Sequence, residues 1–216
     1  MFAQTVTPTA RTLSGQRDLA VEALMAEANV GAVTFYPTDS VIYAQGEASG
    51  PLYLVEFGTV RICRLTADGR RQINAFHFAG EVFGFEGGEL HQCYAESVDG
   101  AGIRVLRPQS GETSARKLLN LALRSFAKMQ EHLLLLGRMS ANQRLATFLL
   151  DLLDRQDGQS SIALQMSRND IADHLGMTFE TVSRVLRVMK DKHIVKVVSV
   201  DRIEVLDADA LADLAY

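Results

Sequence analysis

The chain has 216 residues, enough to bury a substantial core as one large domain or two small ones. Hydrophobic residues make up 47% and charged residues 22%, which excludes a disordered chain, and no apolar run approaches a membrane span. The net charge of −4 means that any nucleic-acid binding must come from a local field, and two cysteines without a CxxC pair give neither a zinc site nor a disulfide framework.

No basic patch followed by an apolar block opens the sequence, which makes the cytoplasm the expected compartment. Residues 1–17 are polar, threonine-rich and aperiodic and read as a loose arm. Residues 18–28 are a short amphipathic helix, with Leu19, Ala23, Met25 and Ala26 at helical spacing. From 31 to 107 short β-branched and aromatic runs alternate with turn glycines. Strands are expected at 41–43, 52–57, 60–65, 72–78, 82–85 and 103–106, with Gly46, Gly58, the Asp68-Gly69 pair, Gly80 and Gly87-Gly88 between them. That spacing indicates a β-sandwich or jelly-roll barrel over residues 18–111.

Beyond Pro108 the pattern becomes helical. Leu119, Ala122, Phe126, Met129, Leu133 and Leu136 recur in alternating steps of three and four, a seam for a second helix along 112–140. The seam suits a second copy of the chain, or else the chain's own barrel. Leu118, Leu121, Leu134 and Leu135 add enough apolar surface for both contacts. A separate amphipathic helix follows at 142–155, then a polar loop, so that 141–216 forms a compact unit of helices and short strands.

Residues 167–190 read SRNDIADHLGMTFETVSRVLRVMK. Ser167 is a good N-cap, with Asp170 three residues on, near the positive end of the helix dipole. Ile171, Ala172 and Leu175 give this first helix an apolar side, and Gly176 stands where the chain must leave it in a left-handed conformation. Thr178 caps a second helix whose buried face is Val182, Val185, Leu186 and Met189. Ala172 is small where the two helices must cross. Two short amphipathic helices joined this tightly form the helix-turn-helix, which sets its second helix in the DNA major groove.

The outward residues of the second helix are Phe179, Glu180, Ser183, Arg184 and Arg187. Glu180 and Arg184 lie one turn apart and project side by side. Arginine can donate a bidentate pair to guanine, and glutamate can accept from the amino group of cytosine. As a simple surface ion pair the two would contribute only about 0.3–0.5 kcal/mol; such a pair would also pre-orient the reader. Around them Arg184, Arg187, Lys190, Lys192 and Lys196 stand against Glu180 and Asp191, a basic window inside an acidic chain. Residues 194–200 and 202–206 are two short strands about Asp201. They form a wing with Lys196 and Arg202 as contacts to the sugar-phosphate backbone.

Barrel, long helix and winged helix-turn-helix in that order resemble the CRP/FNR family of bacterial regulators over about residues 25–210. The stretches DGRRQINAFHFAGEVFG (68–84), LLLLGR (133–138) and RLATFLL (144–150) are similar to its FixK-like and FNR-like branch. The implied fold is α+β: an N-terminal cyclic-nucleotide-binding-like jelly-roll barrel, a long dimerisation helix and a C-terminal winged helix-turn-helix. The family's Glu-x-x-Ser-Arg reader appears as Glu180, Ser183 and Arg184, and Phe179 stands where the CRP branch has arginine. The resemblance therefore implies the half-site TTGAT with its inverted repeat ATCAA. Arg184 would read the guanine, Glu180 the cytosine side and Ser183 the flanking A·T pair. Arg168, Thr178 and Thr181 match family positions that touch phosphates, and Arg187 joins them as a backbone contact.

Ligand signatures of the family are missing. Cyclic-nucleotide binders carry Arg-Ser or Arg-Thr after the Gly-Glu loop, whereas residues 89–96 read ELHQCYAE, with Glu89 and Glu96 repelling a phosphate. Iron-sulfur sensors need four cysteines, three of them near the N-terminus, and none precedes Cys63. Haem stays open, since His77 and His91 lie in the barrel region, but it is disfavoured because His77 between two phenylalanines reads as a structural residue. No catalytic set or phosphate loop is discernible, so an enzyme is not expected. The sequence reads as a cofactor-free dimeric activator of genes for low-oxygen or nitrogen-oxide metabolism. The alternatives are a ligand-sensing regulator of the same architecture and a module for protein contacts. The expected partners are double-stranded DNA, a second copy and RNA polymerase, with no membrane. The family analogy places the polymerase contact on the loop of Thr66, Asp68, Gly69, Arg70 and Arg71.

Overall fold

The computed structural model describes residues 19–67, 69–156 and 160–215; the arm expected at 1–17 and Asp68 lie outside them. Helix α1 (Leu19–Met25) leads into strands β1 (Ala28–Tyr36), β2 (Val41–Tyr43), β3 (Leu52–Phe57), β4 (Thr59–Leu65), β5 (Arg71–Phe78), β6 (Val82–Phe83), β7 (Tyr94–Ser97) and β8 (Ala101–Pro108). They pair as two antiparallel four-stranded sheets, in the orders β1-β8-β3-β6 and β2-β7-β4-β5, and make the expected jelly roll.

Both faces of β3 are covered, which is why it reads as a nearly continuous apolar run. Leu52 and Leu54 meet Leu24 of α1, Val82 and Leu106, while Val55 joins Val60, Phe83 and Ile103 inside the barrel. Full burial of each such side chain contributes about 1.5–3 kcal/mol. The β3-to-β4 crossing requires glycine. Gly58 has φ +80°, and a Cβ there would stand 2.2 Å from the carbonyl oxygen of Gly100.

Two barrel strands were not expected. β1 contains Gly31 and a register shift between Val30 and Val33, so its alternation is broken. β7 is short, and its polar Glu96 serves an ion pair with Arg61 of β4.

Helix α2 (Glu112–Arg138) runs for 27 residues. Helix α3 (Ala141–Arg155) starts one residue earlier than expected, because Ser140 and Gln143 close a capping box ahead of it. The remaining elements are β9 (Ser161–Ala163), α4 (Arg168–Leu175), α5 (Phe179–Asp191), β10 (Val195–Ser199), β11 (Arg202–Val205) and α6 (Ala208–Asp213). β10 and β11 are the expected wing. β9 completes a three-stranded sheet in the order β10-β11-β9, an addition that three residues of sequence could not announce. The core under α4 and α5 holds Leu149, Ile162, Leu175, Val182 and Leu186. It runs on without a break into Cys63, Ile73 and Phe76 of the barrel, so the C-terminal unit is seated on β4 and β5.

Candidate DNA interface

Local sequence places the reader. Ser167 Oγ accepts from the Asp170 amide and Asp170 returns a bond to the Ser167 amide, closing a capping box at the start of α4. Gly176 ends α4 in the left-handed conformation at φ 60°, ψ 44°. Thr178 Oγ1 then accepts from the Thr181 amide at 3.2 Å and starts α5. Val182, Val185, Leu186 and Met189 all face inward, as their spacing requires, and the other side of α5 is left to solvent.

Glu180, Arg184 and Arg187 are exposed on that side, with Phe179 beside them. Glu180 and Arg184, both among the described residues, do not close into an ion pair with each other. The Glu180 carboxyl is instead held below the usual carboxylate range by its own backbone amide first, then by the Thr178 side chain, with Arg184 a lesser influence. Both charges are thereby presented outward rather than to each other. Ser183 is half-buried, and its Oγ is buried without a partner among the described residues. Arg168 at the start of α4 is likewise half-buried, and its Nε is buried without a partner among the described residues. Thr181 is half-buried beside Thr178, the two hydroxyls 3.2 Å apart.

The wing is less basic than its sequence implies, because Lys196 Nζ pairs with Glu204 across the hairpin at 3.0 Å. Arg202 is half-buried, opposite Ser199 and Ala163.

Charged groups whose pairing the sequence did not announce hold this reader on the barrel. Arg71 of β5 donates to Asp170 at 2.5 Å and to Asp173 at 2.8 Å. Arg61 of β4 joins Asp39, Glu96 and Asp170, at 2.9, 2.7 and 3.5 Å. On the other flank, Glu81 meets Lys128 of α2 and Arg155 of α3, each at 2.8 Å. Burial alone would raise the Glu81 carboxyl, but the hydrogen bond and charge of His77, with Arg155 and Lys128, hold it well below the usual range. His174 of α4 adds a bond from Nδ1 to the Ile73 carbonyl at 3.1 Å.

Arg71 stands apart from the rest of the expected polymerase loop. It faces α4 and not the surface turn, where Thr66 accepts from the Gly69 amide and bonds to Arg70.

Along α2, Leu119, Phe126, Met129 and Leu133 are exposed, as are Leu123 and Leu134. Leu136 departs from this seam: it is half-buried and packs on the C-terminal core next to Gly176. Ala122 is also half-buried and lines a groove with Leu52 and Pro108 of the barrel.

A cavity of about 630 Å³ lies between β5, α2, α3 and α4, bordered by Tyr43, Phe76, Phe83, His132, Phe148 and His174. Its lining cations, Lys128 and Arg155, are both engaged by Glu81, and Glu86 adds a negative charge. His91 is buried, stacks on Tyr43 with ring centroids 3.6 Å apart, and bonds to Glu86 through Nδ1 at 3.2 Å, while its Nε2 has no partner among the described residues. His77 bonds to Glu81 and stacks over Phe83. Both rings are thus employed within the barrel. Among the described residues no group of three or more metal-binding side chains is placed to hold a metal ion. No helix among them is long and apolar enough to cross a membrane.

Residues 143–214 match the Crp-like helix-turn-helix domain family, and residues 33–99 match the cyclic nucleotide-binding domain family. The nitrogen fixation regulation protein FixK of Rhizobium meliloti is 42% identical, over 84% of this chain and 86% of its own length. The transcriptional activatory protein AadR of Rhodopseudomonas palustris is 34% identical, over 82% of this chain and 80% of its own. The solved structure of FixK2 from Bradyrhizobium japonicum is 36% identical and superimposes with a TM-score of 0.80, covering 88% of this chain and 98% of that one.

Proposed function

The chain belongs to the CRP/FNR family of transcription regulators, with FixK proteins among its relatives, and on that premise we propose that it binds the palindrome TTGAT-N4-ATCAA as an effector-free homodimer. The observation that carries this reading is the outward, mutually unpaired presentation of Glu180 and Arg184 on α5, whose supporting helices α4 and α3 are clamped to the barrel through Arg71–Asp170 and Glu81–Arg155. A reader already held by Arg71, Asp170, Glu81 and Arg155 needs no ligand to seat it. Arg184 reads guanine and Glu180 the cytosine side; Ser183, whose Oγ is buried and without a partner among the described residues, must turn its hydroxyl outward to read the flanking A·T pair. Arg168, Thr178, Thr181, Arg187, Lys196 and Arg202 contact the backbone. For Lys196 this requires exchanging Glu204 for a phosphate.

The exposed apolar face of α2, from Leu119 through Phe126 and Met129 to Leu133, supports pairing with a second copy. The regulator acts in the cytoplasm as an activator of low-oxygen or nitrogen-oxide metabolism, and contacts RNA polymerase through the turn at Thr66, Gly69 and Arg70. It carries no haem, iron-sulfur cluster or cyclic nucleotide. The relative named as a transcriptional activatory protein supports the sign of regulation, and the one named for nitrogen fixation supports the metabolic setting.

One observation favours a second reading. The cavity borders both barrel and reader, and a small apolar ligand there would sense one and move the other. Selection of duplexes from a random pool by the purified, ligand-free protein decides between the two. Recovery of the palindrome supports the first reading. Recovery only when haem, nitric oxide or a cell extract of small molecules is added supports the second, and no enrichment under any condition leaves a module for protein contacts.

A further inference from the structure

Arg144 of α3 sits at the joint between the long helix and the reader. Its guanidinium donates to four backbone carbonyls: from Nε to Met139 at 2.9 Å, from Nη2 to Leu136 at 2.7 Å, and from Nη1 to Leu175 at 3.0 Å and Gly176 at 3.3 Å. Leu136 and Met139 belong to the C-terminal end of α2, and Leu175 and Gly176 to that of α4. The last carbonyls of a helix lack partners within it and carry the negative end of its dipole. One cation therefore satisfies two helix ends at once and draws them together. The planar fork of arginine spans both ends, which the single-point ammonium of lysine cannot do. Leu136 closes the same joint from the apolar side: a Cβ on Gly176 would stand 3.3 Å from Leu136 Cδ2 and 3.5 Å from Arg144 Nη1.

We infer that Arg144 is a positioning residue that sets the angle of the recognition helix relative to α2, and through it the half-site spacing that the dimer accepts. This rests on the palindrome-binding homodimer proposed above. Only Met139 and Ser140 link α2 to α3 in the chain, so the angle at this end is set by side-chain contacts, with Arg144 bridging the joint itself while Glu81 ties Lys128 to Arg155 farther along the two helices. The reader itself stays intact, because its helices are set by the caps at Ser167 and Thr178 and by the buried Leu175 and Val182. In a two-fold dimer any swing at this joint displaces the two α5 helices in opposite senses, and half-sites must lie about 34 Å apart to be read together.

The experiment compares wild type with Arg144→Lys and Arg144→Gln on duplexes whose half-sites are separated by three, four, five or six base pairs, and on a single half-site. Wild type should peak at four. Both variants should lose about tenfold or more at four, with a flattened spacing profile and unchanged single half-site affinity. Independently of DNA, spin labels on Asp191→Cys in a Cys93→Ser background should give a narrow distance across the wild-type dimer and a broad one in Arg144→Lys.

A retained peak at four with a narrow distance in both arginine variants overturns the inference. Parallel loss of half-site and full-site affinity with a collapsed melting transition also overturns it, since Arg144 would then be a purely structural residue. A sharp wild-type distance that broadens in the variant, without palindrome selection by wild type, supports the joint while overturning the half-site assignment. Absence of any dipolar signal in wild type overturns the dimer and the inference together.

Discussion

Arg71 of β5 donates to Oδ1 of Asp170 at 2.5 Å, while Oδ2 of the same carboxylate accepts from the Ser167 amide at 3.1 Å and caps α4. One buried carboxylate thus joins the barrel to the helix that supports the reader. Asp170→Asn keeps the shape but removes the charge that Arg71 and Arg61 both face. It should destabilise the protein by about 2 kcal/mol in urea titrations, since hydrogen bonds to charged groups contribute about 1.5–3 kcal/mol. Arg71→Ala should cost less, because Arg71 is the more exposed partner and Arg61 remains with Asp170. Equal stability of Asp170→Asn and wild type would remove the clamp from the account.

Base reading and backbone contact separate by substitution. Arg184→Ala should lower affinity for the palindrome by about 1–3 kcal/mol and relax discrimination at the guanine, leaving scrambled DNA bound as before. Arg187→Ala should weaken binding to all duplexes alike and reduce the salt slope by about 1. Titrations of both variants on matched and scrambled duplexes at two salt concentrations test the assignment; a uniform loss for Arg184→Ala contradicts it.

Exposed apolar side chains on α2 predict a hydrophobic dimer contact. Phe126→Asp and Leu133→Asp each place a charge where an apolar partner is expected, at residues 50% and 61% exposed in the single chain. Sedimentation equilibrium should show monomers for both, with the melting transition of the isolated fold retained. An unchanged dimer would move the interface elsewhere.

Much of this was legible because it is local. The glycine-punctuated apolar runs of β3 to β5, the seam of α2 and the cap-glycine-cap grammar of Ser167, Gly176 and Thr178 are encoded within a few residues of where they act. The clamp was not legible. Arg71 and Asp170 lie 99 residues apart, and neither looks unusual in its own neighbourhood: one reads as a turn cation, the other as a helix-start carboxylate. Arg144 stood inside a recognised stretch, yet its four carbonyl acceptors come from two other helices and leave no side-chain pattern to detect. Leu136 kept helical periodicity with the seam but turns toward the reader, because α2 ends there and its last turn meets Gly176.

His174 makes the junction sensitive to acid. Its ring stacks on His132 with centroids 4.2 Å apart, and burial, then the neighbouring His132, push its pKa from 6.5 to about 3. Burial lowers His132 as well. Between those two values the unfolded chain binds a proton that folded His174 refuses. Stability is therefore complete above about pH 6.5 and declines as the pH falls toward 3. At pH 5 the loss from His174 is roughly 2 kcal/mol. His174→Gln, which can still donate to Ile73, should flatten the pH dependence of urea midpoints between pH 7.5 and 5. An unaltered slope would place the acid sensitivity elsewhere.

The central claim is tested most directly by fluorescence anisotropy of the ligand-free, aerobically purified protein on TTGAT-N4-ATCAA. The same titration is run at one stated salt concentration on a scrambled duplex and on one carrying TGTGA half-sites. The account predicts tight binding to the first duplex alone, at least about a thousandfold over the scrambled one. Equal affinity for all three, or selectivity that appears only after a ligand or reductant is added, would contradict it.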